Sequence, residues 1–381
     1  MTVKVLHAYR TYFPDSQGGL EEVIRQICLS VGNHGVTSRV FTLSNEPFPR
    51  TLPRVEADVV RVRKTFEVAS CGFALTGMRR FAKEVEWADI VHYHYPWPFS
   101  DLMYLLVGRH RPAILTYHSD IVRQRFLLSV YRPLMSRYLD AMDMIVATSP
   151  NYFATSEVLA EYAHKVEVIP IGLDEPSYPA MHEQHRDLAA ARQKYGEDFF
   201  LFVGVLRYYK GLHILLDAVQ GARYKVVIVG SGPVENELRR QAQRLGLDNV
   251  IFAGFVSDRE KMALFGLCRA VVFPSYLRSE AFGVTLLEGA MSSRPLISAE
   301  VGSGTSHVNI HKETGLVVPP GNSKALREAM DDLHQHPQKA LLMGRNARQR
   351  YERLFTASGM GGRYVDAYRR IIAAQADRAS A

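Results

Sequence analysis

Residues 273–300 read FPSYLRSEAFGVTLLEGAMSSRPLISAE and carry the strongest structural signal in the chain. An apolar run ends at Phe273, and Pro274 breaks it, which indicates the end of a strand and the start of a loop. Apolar residues at helical spacing follow Gly283, and Pro295 ends that helix before the next apolar strand. The stretch therefore predicts strand, loop, helix and strand, as in a parallel α/β sheet.

Two carboxylates lie on this turn, Glu280 in the loop and Glu288 inside the helix, with seven residues between them. The first backbone N–H groups of the helix, those of Val284 and Thr285, come between the two acids. Such N–H groups have no partner within the helix and attract phosphate. The acids therefore either face one anionic ligand together or are two unrelated charges on a solvated helix.

The frame E-A-F-G-x-x-x-L-E-G-A-M, flanked by F-P-S and R-P-L-I, resembles the signature of the retaining family 4 glycosyltransferases of GT-B architecture. This resemblance covers essentially the whole chain and is strongest from residue 200 to residue 320. It implies an α/β fold with two Rossmann-like domains whose parallel sheets face a central cleft. The second domain is then expected to bind a nucleotide-diphospho-sugar donor, and the first domain the acceptor.

The composition is that of a globular protein with an anionic partner. The chain has 381 residues, which suggests two domains, with 47% hydrophobic and 22% charged residues. A net charge of +7 is compatible with nucleic acid, a nucleotide or an acidic membrane surface. Three scattered cysteines do not form a disulfide framework or a zinc site and fit a reducing cytosol. No Asp-x-Asp pair occurs, so we expect no metal and no other cofactor.

The first half alternates short strands and helices, which predicts βαβ units. Gly18 and Gly19 lie between a strand and a helix and resemble the family's glycine loop facing the donor phosphates. His118 follows an apolar strand, where ligands of open parallel sheets bind, and matches the family histidine that contacts the transferred sugar. His94 either contacts the acceptor or packs in a loop.

The predicted domain boundaries follow from the two βαβ series. Residues 1–172 form the N-terminal acceptor domain, to which a C-terminal helix within residues 357–381 returns. Residues 173–197 are polar and contain proline, as a linker would. Residues 198–356 form the nucleotide-sugar domain.

In the second half, Arg207 and Lys210 lie at a strand-to-helix turn, where two cations can clamp one diphosphate. The frame resembles the family's arginine–lysine motif, so both residues are expected to be catalytic, together with Glu280 and His118. By resemblance, Glu288 binds the ribose, and Glu280 and His118 hold the sugar. Further donor contacts are expected from the turn beside the base and from the helix start, namely Gly230, Phe255, Val256, Phe282, Gly283, Val284 and Thr285.

A basic stretch from Arg123 to Arg137 interleaves arginines with apolar residues. Such a stretch either lies on anionic lipid or forms a helix with one buried and one solvated face. No apolar run reaches the roughly 18 residues of a spanning helix, and the N-terminus does not read as a signal peptide. We expect a cytoplasmic protein, peripheral on the inner face of the cytoplasmic membrane.

The chain start and the segment around His92 resemble O-antigen mannosyltransferases and D-rhamnosyltransferases that use GDP-sugars. This resemblance implies retaining transfer to a polyprenyl-diphosphate-linked saccharide. The alternatives are a UDP-sugar-dependent transferase of the same fold and a non-catalytic sugar-nucleotide-binding protein. A dehydrogenase would need a fuller glycine fingerprint, and a nucleic-acid-binding protein would need its basic residues beside stacking aromatics.

Overall fold

The computed structural model describes residues 2–68, 71–121, 125–179 and 185–380, with only the backbone of 125–129, 185, 379 and 380. The chain divides into two compact units. The first unit comprises Met1–Gly172 and Ala357–Ala381, and the second comprises Leu173–Thr356.

Strands and helices alternate along most of the chain. The strands are β1 Val3–Ala8, β2 Val36–Ser44, β3 Thr51–Pro53, β4 Asp58–Arg63, β5 Phe66–Val68, β6 Cys71–Phe73, β7 Ile90–Tyr95, β8 Ala113–Tyr117, β9 Met144–Ala147, β10 Val166–Val168, β11 Phe200–Val203, β12 Val226–Val229, β13 Val250–Gly254, β14 Ala270–Phe273, β15 Leu296–Ala299 and β16 Gly315–Val318. The helices are α1 Gly19–Gly32, α2 Met78–Trp87, α3 Pro98–Met103, α4 Arg125–Asp140, α5 Pro150–Thr155, α6 Glu157–Glu161, α7 His185–Tyr195, α8 Leu212–Ala218, α9 Glu235–Arg244, α10 Asp258–Leu267, α11 Val284–Met291, α12 Thr305–Val308, α13 Ser323–Gln335, α14 Pro337–Leu354 and α15 Ala357–Ser380.

The first unit is built on an eight-stranded sheet in the order β10-β9-β8-β7-β1-β2-β4-β3. The strands pair in parallel except β3, which runs antiparallel to β4. All residues of β7 and β8 are buried, as expected for parallel strands covered on both faces. The order reverses between β1 and β7, so the carboxyl ends of these two strands flank a switch point.

The last helix, α15, belongs to the first unit because its side chains bond to that unit's sheet. The hydroxyl of Tyr368 lies 2.8 Å from Nδ1 of His92 in β7, and the hydroxyl of Tyr364 lies 2.9 Å from Oγ1 of Thr116 in β8. Gly361 lets α15 approach α1 closely, since a Cβ there would lie 2.8 Å from the backbone carbonyl of Ser30.

The second unit has a six-stranded parallel sheet in the order β13-β12-β11-β14-β15-β16. Counted from β11, this is the Rossmann order, and it reverses between β11 and β14. Its core packs buried residues from strands and helices, among them Phe200, Leu215, Val272 and Met330. Ligands of such sheets bind beyond the carboxyl ends of the strands at the reversal.

The sequence led us to expect a linker at residues 173–197, but the described residues of that range are part of the second unit. The N–H of Leu173 donates to the carbonyl of Phe355 at 2.9 Å, and Glu175 pairs with Arg348 at 2.7 Å. Helix α7 ends in the buried Tyr195, whose hydroxyl donates to Glu260 at 2.8 Å. The polar residues of this range are therefore used for packing contacts within one unit.

In the described part of the chain, no helix is long and apolar enough to cross a membrane.

Two adjacent glycines test how α15 docks. We expect Gly361→Ala to destabilise the first unit by about 1–3 kcal/mol, because its methyl group would press on α1. Gly362→Ala is the matched control: a Cβ there meets nothing within 4 Å, and helix propensity favours alanine by about 1 kcal/mol. Both tryptophans, Trp87 and Trp97, lie in the first unit, so urea unfolding followed by tryptophan fluorescence reports on it. Equal effects of the two substitutions would contradict this account of the docking.

Candidate active site

The loops that follow β11 and β14 meet at the switch point of the second sheet. The N–H of Tyr276 donates to the carbonyl of Tyr209 at 3.1 Å. Gly211 has a φ of 70°, and a Cβ on it would lie 2.0 Å from the carbonyl oxygen of Pro274. Only glycine permits this left-handed conformation and this approach without strain. The two loops are therefore held together by their backbones.

This approach brings two of the predicted catalytic side chains into contact. Nζ of Lys210 donates to Oε2 of Glu280, and Oγ of Ser275 donates to the same oxygen at 3.1 Å. The side chains of Lys210 and Glu280 are only 13% and 10% exposed. The Lys210 ammonium also lies 4.6 Å from the centroid of the Phe273 ring. The predicted phosphate-binding cation and the predicted sugar-binding acid thus form one partly desolvated ion pair.

The second predicted acid, Glu288, has a lysine of its own. Nζ of Lys261 in α10 donates to Oε1 of Glu288 at 2.8 Å and lies 3.1 Å from Asp258. Burial alone lowers the pKa of the Lys261 ammonium, but the carboxylates of Glu288 and Asp258 outweigh burial, and the pKa lies above its ordinary value. Lys261 is therefore charged at neutral pH and neutralises Glu288.

Gly283, which has a φ of 87°, is the N-cap of helix α11, next to the end of β11. Oγ1 of Thr285 donates to the carbonyl of Val203 at 3.1 Å, which fixes the first turn. Val284 and Thr285 are at the start of the helix, where N–H groups have no partner within the helix. Phe282 is buried against Phe355, so the structure gives it a packing role.

The turns after β12 and β13 lie at the same edge of the sheet. Gly230 has a φ of 120°, and a Cβ there would lie 2.1 Å from the carbonyl oxygen of Gly204. Its N–H donates to the carbonyl of Gly254 at 2.7 Å. Beyond β13, Phe255 is 75% exposed, whereas Val256 is buried. Gly230 is thus required by the close backbone packing, and Phe255 offers an exposed apolar surface at this edge.

Arg207 is placed apart from the ion pairs of the site. Its side chain is exposed and has no hydrogen bond or ion pair among the described residues, although its backbone carbonyl accepts from the N–H of Lys210 at 3.0 Å. The two cations of the predicted clamp are therefore not joined to each other. The guanidinium of Arg207 is solvated, whereas the ammonium of Lys210 is paired with Glu280.

In the first unit, Gly18 and Gly19 stand at the start of α1 as the sequence predicted. Gly18 is extended, and a Cβ there would lie 2.6 Å from the carboxylate of Glu21, which accepts from Ser16 at 2.7 Å. A Cβ on Gly19 would meet nothing within 4 Å. Gly18 is thus covered by a side chain of its own helix, whereas Gly19 is open to a ligand.

His118, the first residue after β8, belongs to a cluster of four buried histidines on one face of the first sheet. Nε2 of His118 lies 3.0 Å from Nδ1 of His94, and Nε2 of His94 lies 3.1 Å from Nδ1 of His7. Burial lowers the pKa of His7 and His118 to about 3 and that of His92 and His94 well below its ordinary value. All four rings are therefore neutral at neutral pH.

Three of these histidines have the spacing of a metal site, since one nitrogen from each of His7, His92 and His94 lies within 4.8 Å of the others. However, both nitrogens of His92 are bonded, to Tyr368 and to Thr116. The ring of His92 also stacks on that of His94, with centroids 4.4 Å apart and planes 25° apart. Stacked rings do not direct their lone pairs at one point, so the cluster is arranged for hydrogen bonding. His94, for which the sequence left acceptor contact and loop packing open, lies in β7 with both nitrogens bonded to other histidines.

The basic stretch coincides with α4, although Arg123 and the side chain of Arg125 lie outside what the structure describes. Further along, Tyr138 and Leu139 are buried. Arg132 is 65% exposed and lies 3.2 Å from Glu161. The described part of α4 therefore has one buried and one solvated face.

Comparison with known proteins gives matches along the whole chain. The family model for Glycosyltransferase Family 4 matches residues 17–175, and the model for Glycosyl transferases group 1 matches residues 184–350. The chain is 55% identical over 355 residues to the D-rhamnosyltransferase WbpZ of Pseudomonas aeruginosa, covering 93% of each chain. It is 47% identical to the O-antigen chain mannosyltransferase C of Escherichia coli, covering 96% of this chain and 98% of that protein. The chain belongs to the family 4 glycosyltransferases.

Solved structures agree on the fold of this glycosyltransferase. Sucrose-phosphate synthase from Thermosynechococcus elongatus superposes with a TM-score of 0.80 at 22% identity, over 98% of this chain and 100% of that one. WaaG, a glycosyltransferase involved in lipopolysaccharide biosynthesis, gives a TM-score of 0.68 at 17% identity, over 96% of this chain and 99% of that one. At these identities the likeness shows the GT-B fold alone.

Three hydrogen-bond partners were not predicted from the sequence, one in the second unit and two beside the histidines of the first unit. Lys261 lies 27 residues before Glu288, His7 lies 87 before His94, and Tyr368 lies 276 after His92. None of these pairs leaves a local pattern in the sequence. Only the strand order indicates His7, since β1 and β7 flank the switch point of the first sheet.

Two variants distinguish the contribution of the Lys261–Glu288 pair to stability from the contribution of Glu288 to nucleotide binding. Lys261→Met should cost about 3–5 kcal/mol of stability, because the buried carboxylate loses its ammonium partner. The double variant Lys261→Met/Glu288→Leu should regain most of this stability but bind a nucleoside diphosphate at least about tenfold more weakly, since a charge-assisted hydrogen bond contributes about 1.5–3 kcal/mol. Thermal unfolding and calorimetric titration measure the two effects. If the double variant binds the nucleotide as the wild type does, Glu288 does not contact the ribose.

Proposed function

We propose that this glycosyltransferase moves a mannosyl or D-rhamnosyl unit from a GDP-sugar to a polyprenyl-diphosphate-linked saccharide during O-antigen assembly, with retention at the anomeric carbon and without a metal ion. The observation that carries the proposal is the identity of 55% and 47%, over nearly the full chain, to proteins named as a D-rhamnosyltransferase and as an O-antigen chain mannosyltransferase. A UDP-sugar donor is the second candidate, favoured by the fold likeness to a protein solved with UDP and glucose, at 20% identity.

The proposed chemistry uses the charges at the second switch point. Arg207 and Lys210 neutralise the leaving diphosphate, together with the first N–H groups of α11. Charge that develops in the transition state is where preorganised donors stabilise most. Glu288 accepts hydrogen bonds from the ribose, Glu280 accepts them from the transferred sugar, and His118 contacts the sugar. The leaving phosphate takes the proton of the acceptor hydroxyl, so no protein base is required.

The ion pair between Lys210 and Glu280 adds a coupling to this scheme. The Lys210 ammonium donates to the carboxylate that we assign to the sugar. When sugar hydroxyls donate to Glu280, they satisfy this carboxylate and release Lys210 toward the diphosphate. We therefore expect the intact donor to recruit Lys210 more effectively than the bare nucleotide does.

The donor and the reaction are tested by assaying the purified protein with GDP-mannose, GDP-D-rhamnose and UDP-sugars on a polyprenyl-diphosphate-linked saccharide. We expect product from a GDP-sugar only, with the anomeric configuration of the donor retained and no loss of rate in EDTA. Transfer from UDP-sugars alone would establish the second candidate. Nucleotide binding without turnover on any acceptor would support a non-catalytic binding protein. Loss of activity in EDTA that magnesium or manganese restores would contradict a metal-free reaction.

Kinetics and nucleotide binding should distinguish the proposed roles of Lys210 and Glu280. Lys210→Met should lower kcat about a hundredfold, if Lys210 supplies the roughly 2.7–4 kcal/mol of one such donor, and should weaken GDP binding. Glu280→Gln keeps the size of the side chain and should also lower kcat, but it should leave GDP binding unchanged or tighter because Lys210 is released. Steady-state rates and GDP titrations measure both. If Glu280→Gln weakens GDP binding as much as Lys210→Met does, Glu280 does not act on the sugar.

We further propose that the basic stretch contacts anionic lipid on the inner face of the cytoplasmic membrane. The net charge of +7 supports this, and so does Val130 of α4, which is 71% exposed. Each basic residue near such a surface contributes about 1 kcal/mol, which salt screens.

Co-sedimentation with anionic vesicles should fall as salt rises and with Arg123→Glu/Arg125→Glu. The matched control is Arg240→Glu/Arg244→Glu, which makes the same charge change on exposed residues of α9 in the second unit. Equal sedimentation on neutral and anionic vesicles, or equal losses in both double variants, would contradict a lipid-binding role for this stretch.

A further inference from the structure

Three of the buried histidines form a hydrogen-bonded chain across the first sheet. His7 lies in β1, His94 lies in the neighbouring β7, and His118 follows β8, so the chain runs from the interior to the carboxyl edge of the sheet. In the two bonded pairs the ring planes differ by 20° and 18°. The ring centroids of His7 and His94 are 5.4 Å apart and their bonded nitrogens 3.1 Å, and the corresponding distances for His94 and His118 are 5.3 Å and 3.0 Å. In both pairs the difference is about the diameter of one imidazole ring. The rings therefore meet end to end, nitrogen to nitrogen.

Such a chain has only two arrangements of its protons. Each neutral imidazole carries one N–H and one bare nitrogen, and each nitrogen–nitrogen contact needs one proton. If His7 donates from Nδ1, then His94 must donate from Nδ1 as well, and His118 is left with its proton on Nδ1. If His118 donates from Nε2 instead, then all three rings carry their proton on Nε2. The tautomers of the three residues are therefore linked.

The two ends of the chain are not equivalent. Nε2 of His7 is buried and has no hydrogen-bond partner within the part of the chain that the structure describes. At the other end, Nδ1 of His118 has no partner among the described residues and lies where the sheet opens to ligands. The second arrangement would bury an N–H without an acceptor at His7, and the first would bury only a bare nitrogen. Orphaned buried N–H groups are the rarer defect in folded proteins.

We propose that His94 is a positioning residue that, because the far end of the chain is buried, holds His118 in its Nδ1–H tautomer, so that His118 presents an N–H donor at the carboxyl edge of the first sheet. Its ligand is then an oxygen acceptor, such as a hydroxyl or phosphate oxygen of the sugar donor, a role that rests on the proposed function. The low pKa of every ring in the chain keeps it neutral at neutral pH, so no imidazolium interrupts the sequence of donors.

The tautomers can be measured without substrate. Long-range ¹H–¹⁵N spectra of protein labelled at histidine distinguish protonated from bare ring nitrogens, and single His→Gln substitutions assign the signals. We expect His7, His94 and His118 of the wild type to be protonated on Nδ1. Protonation of His118 on Nε2, or an imidazolium at neutral pH, would overturn the proposal. Because this spectrum requires no turnover, it stands apart from the assay of the transferase reaction.

His94→Phe tests the linkage, because it keeps an aromatic ring while removing both nitrogen contacts. We expect the ¹⁵N signals of His118 to become those of mixed tautomers and kcat to fall about tenfold, the effect of one hydrogen bond. Tyr368→Phe is the matched control: it breaks the 2.8 Å bond to His92 beside the chain and should leave the spectrum of His118 unchanged. If His118 keeps a single Nδ1–H tautomer in folded His94→Phe, His94 does not position it.

His7→Leu provides a second variant if His94→Phe fails to fold. In His7→Leu the buried end of the chain moves to Nε2 of His94, which again should stay bare, so His118 should keep its Nδ1–H signal. A change of His118 to the Nε2–H tautomer would show that the buried end does not set the direction of the chain.

Discussion

The site of the second unit depends on how closely two loop backbones approach. Gly211 lies against the carbonyl of Pro274, where a Cβ would be 2.0 Å from the oxygen, and its φ of 70° suits glycine. A side chain at this position would separate the loop that carries Lys210 from the loop that carries Glu280. Because backbone contacts fix the separation of the two loops, the Lys210 side chain reaches Glu280 without a rearrangement of either loop. Preorganisation of this kind reduces the cost of ordering these groups when ligand binds.

Each predicted acid of the second unit is already neutralised by a lysine, which changes what ligand binding must accomplish. Glu280 is 8% and Glu288 is 5% exposed, so neither carboxylate could remain charged there cheaply without a partner. A ligand therefore exchanges hydrogen bonds with existing pairs and does not enter an empty charged site. The net free energy of this exchange is small compared with the interaction energy of each lysine–glutamate pair. Binding strength should accordingly depend on how well ribose and sugar hydroxyls replace the lysine donors.

The sequence predicted those parts of the fold that depend on apolar periodicity and on local turn conformation. The strands, the helix that follows Gly283 and the glycine turn at Gly230 are explained by apolar spacing and by backbone conformations that glycine permits. The linker at 173–197 was misjudged because polar composition does not distinguish a free segment from one whose polar groups make packing contacts, such as Glu175 with Arg348. Lys261 and His7 were missed because each meets its partner, Glu288 or His94, only through the packing of elements within its own unit.

The two switch points solve opposite electrostatic problems with the same sheet geometry. In the second unit, charged side chains at the strand ends stay charged because they are paired, as Lys261 is with Glu288 and Asp258. In the first unit, titratable rings lie deeper, with His7, His92 and His94 fully buried, and desolvation removes their charge. A buried neutral imidazole still has a donor side and an acceptor side, because its proton is bound to one of the two nitrogens. Where desolvation excludes charge, the position of a proton decides whether the side chain at a strand end offers a ligand a hydrogen-bond donor or an acceptor. A chain of hydrogen-bonded rings fixes that position across three neighbouring strands.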